Sequence, residues 1–93
     1  MIKSFRDSET ERIFDRRFSG RLPNDIQTVA LRRLRMLNNA ADLVDLRSSP
    51  ANRQEKLSGD RAGQHSIRIN DQWRICFRWR GGGAHEVEIC DYH

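Results

Sequence analysis

The feature that most constrains this chain is the strict apolar–polar alternation of its last third, because a period of two belongs to strands with one face buried and one face wet. His65, Ile67 and Ile69 lie on one side of a first run, with Gln64, Ser66 and Arg68 on the other. A second run sets Trp73, Ile75, Phe77 and Trp79 against Gln72, Arg74, Cys76, Arg78 and Arg80. After Gly81-Gly82-Gly83 a third sets His85, Val87 and Ile89 against Glu86, Glu88 and Cys90. Such strands build one half-buried antiparallel sheet. A chain of 93 residues holds a single domain, residues 1–93, with a small core.

Alternation also sets the register. A two-residue turn at Asn70-Asp71 would pair Ile69 with Gln72 and Ile67 with Arg74, apolar against polar along the whole hairpin. A three-residue loop over 70–72 instead pairs Ile69 with Trp73, Ile67 with Ile75 and His65 with Phe77. It predicts a bulged hairpin with Asn70, Asp71 or Gln72 in the left-handed conformation. The same register sets Arg68 against Arg74, two guanidiniums that repel unless an anion lies between them. Carried across the glycine hairpin, the parity gathers Arg68, Arg74, Arg78, Cys90 and Tyr92 on one face beside Glu86 and Glu88. That face reads either as an anion-binding surface or as a salt-bridged sheet surface. His65 and His85 face inward on this pattern, as packed core or rim groups. Cys76 and Cys90 are cross-strand neighbours in one of the two allowed registers, and in a reducing compartment they are expected as free thiols.

The first half reads as helical. Residues 1–5 predict a strand. Ser8-Glu9-Thr10-Glu11 has the form of a capping box, so a helix is expected from Ser8, burying Ile13, Phe14 and Phe18 and stopping at Gly20. Asn24 is the expected N-cap of the main helix, whose stripe is Ile26, Val29, Ala30, Leu34, Leu37 and Ala41, with Arg32 and Arg35 outward. Residues 38–50 form a connector with a helical turn over 42–46. Residues 52–57 predict a weak strand, and 58–63 a turn in which two glycines supply positive φ. The fold class is therefore α+β, two main N-terminal helices packed on one face of a four- to five-stranded, mostly antiparallel sheet.

Charge points to the kind of partner. Lys and Arg total 17 against 13 Asp and Glu, and only Lys3 and Lys56 are lysines. Guanidiniums suit bidentate contact with phosphate and stacking on bases, so a polyanion is favoured, against the plainer reading of a solvated basic surface. No apolar run approaches a membrane span, and a cytoplasmic location is expected. Two cysteines make neither a secreted disulfide framework nor a zinc motif, so no metal or cofactor is expected. Cleaving an RNA phosphodiester without metal needs a base for the 2′-hydroxyl, cations for the phosphorane and an acid for the leaving oxygen. His93, Arg74 and the adjacent Asp91 could supply these, and Tyr92 could stack on a splayed nucleotide.

The opening Met1-Ile2-Lys3-Ser4-Phe5, the Leu57-Ser58-Gly59-Asp60-Arg61 turn, the Asn70-Asp71-Gln72-Trp73-Arg74 hairpin and the closing Asp91-Tyr92-His93 together resemble the HigB family of bacterial toxins in the RelE superfamily. The resemblance spans nearly the full length. It implies a RelE-like fold and a ribosome-dependent mRNA endonuclease of the bacterial cytoplasm. It also implies a HigA-type helix-turn-helix antitoxin as partner, through which operator DNA is reached indirectly, and no membrane. It further implies Arg74 on the scissile phosphate, with Asp91, Tyr92 and His93 as the terminal acid, aromatic and imidazole. The chain departs from the family upstream, where Gln54-Glu55-Lys56-Leu57-Ser58 lacks the family's histidine. Either Glu55 or His93 must then serve as base. Lys56, Arg61, Arg68 and Arg78 are the candidate RNA contacts. The rival functions are a gyrase-inhibiting toxin of the same superfamily and a non-catalytic nucleic-acid-binding module.

Overall fold

The computed structural model describes residues 1–91. Three helices precede the sheet: α1 (Ser8–Phe14), α2 (Asn24–Asn39) and α3 (Leu43–Arg47). Four strands follow, β1 (Glu55–Lys56), β2 (His65–Arg68), β3 (Trp73–Arg80) and β4 (Gly83–Asp91), paired antiparallel in the order β1-β2-β3-β4. The predicted class is the observed one. Ile67, Ile75, Phe77, Val87 and Ile89 turn one face of the sheet toward Ile13 of α1 and Ile26, Ala30, Leu34 and Leu37 of α2, and together they form the main core. No helix among the described residues is long and apolar enough to cross a membrane.

The β2–β3 register is the one the alternation demanded, with His65 opposite Phe77, Ile67 opposite Ile75 and Arg68 opposite Arg74. The loop achieves it differently. None of Asn70, Asp71 and Gln72 has positive φ. The Asn70 side-chain oxygen instead accepts the amides of Gln72 (2.9 Å) and Trp73 (2.7 Å), and both Ile69 and Asn70 amides donate to the Trp73 carbonyl. An asparagine that closes the turn with its own side chain removes the need for a left-handed residue.

The β3–β4 hairpin turns on Gly81 and Gly82, both at positive φ (57° and 73°), as a two-residue loop with Arg80 opposite Gly83 requires. Further along, a bulge slips the register between Cys76 and Arg78, and Glu86 takes φ 53°. The extra residue reverses the parity of β4 before that point. His85 therefore stands opposite Arg78 and Ala84 enters the core, which corrects the inward position expected for His85. The bulge also explains why residues 1–5 do not form a continuous strand. They run parallel to β4 through two bridges, Ile2 with Ala84 and Phe5 with Val87, and the Glu86 amide between them is taken by the Ser4 hydroxyl at 2.9 Å.

The helices start and stop near, not at, the expected residues. Asp7, one position before Ser8, caps α1 by accepting the Thr10 amide at 2.6 Å, and the helix ends at Phe14 because Arg16 adopts the left-handed conformation (φ 64°). Gly20 is thus not the stop, and Phe18 is left 61 % exposed. Pro23 rather than Asn24 precedes α2, without a side-chain cap. Its buried stripe runs to Ala40 instead of Ala41. Asp42 and Asp45 form a reciprocal capping box for α3. The weak strand over 52–57 shrinks to two residues because residues 50–52 make a 3-10 turn and Arg53 follows at φ 41°.

Candidate functional site

The sheet face turned away from the helices carries the polar half of the alternation. Antiparallel partners share a face, so two ladder rows can be read across it. One row is Glu55, Ser66, Cys76 and Glu88, and the next is Arg68, Arg74 and Cys90.

Arg74 is the centre. It is 7 % exposed, its Nε donates to Ser66 Oγ at 2.7 Å, and its Nη2 donates to the Arg53 carbonyl at 2.6 Å. Ser66 is fully buried on β2, and the left-handed turn at Arg53 aims that carbonyl inward. A guanidinium anchored on a strand and on a loop is held in one orientation before any ligand arrives. The Arg68–Arg74 opposition is also resolved within the chain. Arg68 pairs with Asp71 across the hairpin loop, and its hydrogen bond and charge hold the Asp71 carboxyl below its ordinary value. Each guanidinium has its own partners, so no bound anion is needed to explain the pair.

The other predicted residues fall into three groups. Arg61, Arg78 and Glu55 share the Arg74 face. Arg61 donates to Gln64 Oε1 at 3.2 Å and lies 3.6 Å from Glu88, which Arg6 approaches from the N-terminal segment at 3.3 Å. Arg78 pairs with Glu86 at 3.0 Å and passes close under Gly63, where a Cβ would meet its Nη1 at 2.9 Å. Lys56 does not join them. It is opposite His65 and so has the parity of the helix-covered face, because its neighbour Glu55 takes the outer one. Asp91 is opposite Trp73, also on that inner parity, at the end of the sheet, where its carboxylate accepts from Gln72 Nε2 at 2.9 Å. Tyr92 and His93 lie outside the described residues.

His65 faces inward as expected, stacked on Phe77 with ring centroids 5.9 Å apart and within 3.0 Å of Gln54 Nε2. Burial first, then the charges of Lys56 and Arg47, hold its imidazole below the ordinary histidine value. Cys76 and Cys90 sit diagonally on the Arg74 face and are joined as a disulfide over Leu57, where free thiols were expected. The register with the bulge opposes neither cysteine to the other, yet places both on one face in adjacent rungs. Sequence reading missed the positioning groups Ser66, Gln64 and the Arg53 carbonyl, whereas Glu88 was expected on this face as a neutralising carboxylate. Ser66 had a visible signal, a small polar residue one rung from Arg74 on the polar parity. The Arg53 carbonyl had none.

The comparisons with known proteins agree with this architecture. A family model described as RelE-like toxin of type II toxin-antitoxin system HigB matches residues 3–93. Toxin HigB-1 from Vibrio cholerae serotype O1 is 38% identical over 85 residues, 90% of each chain. Endoribonuclease HigB from Proteus vulgaris is 32% identical over 98 residues and covers all of both chains. Among solved structures, the heterotetrameric YoeB-YefM toxin-antitoxin complex from Staphylococcus aureus aligns with TM-score 0.59 and 18% identity, over 100% of this chain and 98% of the other, a likeness of fold. With a half-buried antiparallel sheet under two helices and a family match over nearly its whole length, the chain belongs to the HigB-like, RelE-superfamily toxins of type II toxin-antitoxin systems.

Proposed function

We propose that this chain is an mRNA endonuclease that works on the ribosome, inhibits translation and growth, and is neutralised by a HigA-type antitoxin. The observation that carries the reading is Arg74, a nearly buried cation held rigidly by Ser66 and the Arg53 carbonyl on the open face of the sheet. A preoriented guanidinium suits the extra negative charge of a pentacoordinate phosphate, which develops after binding. The name of the Proteus vulgaris relative, an endoribonuclease, supports the reaction class. The toxin-antitoxin complex of the structural neighbour supports an antitoxin partner.

In this reading Arg74 holds the scissile phosphate and stabilises the phosphorane. A base removes the 2′-hydroxyl proton, the 2′-oxygen attacks phosphorus, the bond to the 5′-oxygen breaks, and an acid returns a proton to that oxygen, without metal. His93 is the principal acid or base, oriented by Asp91, with Tyr92 stacking on a nucleotide. Glu55 is the alternative base, supported by its place in the same ladder row as Ser66, one rung from Arg74. Arg61, Arg68 and Arg78 contact RNA, while the inner parity of Lys56 argues against that role for it. The ribosome completes the site by presenting the splayed codon.

The test is expression of the chain, of Arg74→Ala and of a chain lacking His93, followed by mapping of mRNA 5′ ends on translating ribosomes. Cuts phased with codons are expected, and loss of Arg74 should lower cleavage by roughly 100- to 1,000-fold. Undiminished growth arrest by folded Arg74→Ala would sink the nuclease and favour a gyrase-directed toxin. Salt-sensitive RNA binding with intact transcripts would leave a binding module.

A further inference from the structure

A groove of about 360 Å³ opens where the end of α1 meets α2, on the flank of α2 beside its buried stripe. Its floor is apolar, formed by Ile13 and Leu31, and Phe18 stands over it with 61 % of its surface exposed. Arg16, Arg17 and Arg35 rim it. Among the described residues none of these three side chains makes a hydrogen bond or an ion pair, whereas Arg6, Arg61, Arg68 and Arg78 on the sheet side are each paired with a carboxylate. The wall is held in place. Gln27 donates to the Ser19 and Leu22 carbonyls at 2.8 and 3.0 Å, the Ser19 hydroxyl donates to Glu9, and Arg12 donates to the Phe18 carbonyl at 3.2 Å. Arg16 is kept in the left-handed conformation, which is costly for an arginine.

An exposed phenylalanine, an apolar floor and three unpaired cations ask for a ligand that is apolar at its centre and anionic at its edges. We propose that this groove docks an acidic polypeptide segment, one that places an aliphatic side chain on Ile13 and Leu31 and carboxylates against Arg16, Arg17 and Arg35. A nucleic-acid strand would satisfy the arginines but has no aliphatic group for the floor. The site lies on the helical layer, with the sheet between it and Arg74. Its occupant therefore grips the protein without covering the catalytic face. The proposal rests on the toxin-antitoxin reading only for the owner of the segment, the antitoxin.

The probe is a short fluorescein-labelled peptide alternating Glu and Leu, titrated by anisotropy against the whole chain, with a Lys-Leu peptide, a single-stranded oligouridylate and sedimentation as controls. Binding by the acidic peptide alone is expected. It should weaken about tenfold or more in Arg16→Glu/Arg17→Glu and in Phe18→Ala, whose side chains are exposed and whose removal should leave unfolding curves and mRNA cleavage unchanged. Arg74→Ala should bind the peptide normally, so failure of the nuclease reading and failure of this one give different results. No binding, binding indifferent to both variants, displacement by the oligouridylate through the same arginines, or a groove-dependent dimer of the chain would each overturn the proposal.

Discussion

At the scale of single residues, the site depends on how one guanidinium is held. Ser66→Ala removes the oxygen that accepts from Arg74 Nε and leaves a buried charged donor short of a partner, so it should cost about 1–3 kcal/mol of stability. Cleavage on ribosomes should fall as well, because Arg74 would lose its fixed direction, and Ser66→Thr should restore much of it. Melting and cleavage measured on the same preparations separate the two effects. His65 gives a pH signature. Its pKa is lowered in the fold, so between that value and the ordinary 6.5 the unfolded chain binds more protons than the folded one. Its stabilising contribution is complete above about pH 6.5 and is lost as pH falls through the lowered value. Denaturation titrations should show stability declining on mild acidification, and His65→Gln should flatten that decline. At this scale the polar parity of β2 and β3 was readable. The Arg53 carbonyl was not, since any residue could supply it.

At the scale of elements, α1 is seven residues long and could not persist alone. Two contacts tie it down: Asp7 caps its first turn, and buried Thr10 accepts the Ile89 amide of β4 at 2.9 Å. Thr10→Val keeps the volume and orphans that amide, so chemical denaturation should show a loss of about 1–3 kcal/mol, with hydrogen exchange accelerating at Ile89. Helix existence followed from periodicity, while its ends depended on competition among neighbours that periodicity does not register. Asp7 caps as well as a serine does and comes first in the chain, and the left-handed Arg16 stops α1 well short of Gly20. The bulge at Glu86 shows the same limit. One extra residue in β4 moved His85 to the outer face without any change in the apolar–polar pattern.

At the scale of the whole molecule, the two faces of the sheet divide the work. One buries the helices and the other carries Arg74, while Arg16, Arg17 and Arg35 stand together on the far helical flank. The Cys76–Cys90 disulfide ties β3 to β4 beneath the outer face. Reduction should lower the unfolding midpoint, by an amount equivalent to about 3 kcal/mol on the loop-entropy scale for a separation of 14 residues, and Cys76→Ala/Cys90→Ala should be insensitive to reductant. By itself the sequence determined the class of fold, the β2–β3 register and the β2 and β3 residues sharing a face with Arg74, because period-two alternation and a small core admit one pairing of those strands. Tertiary structure decided which arginines are already neutralised, where β4 changes parity, that residues 1–5 run parallel to it, and that the cysteines meet. Those outcomes depend on contacts between residues far apart in the chain, which no local pattern encodes.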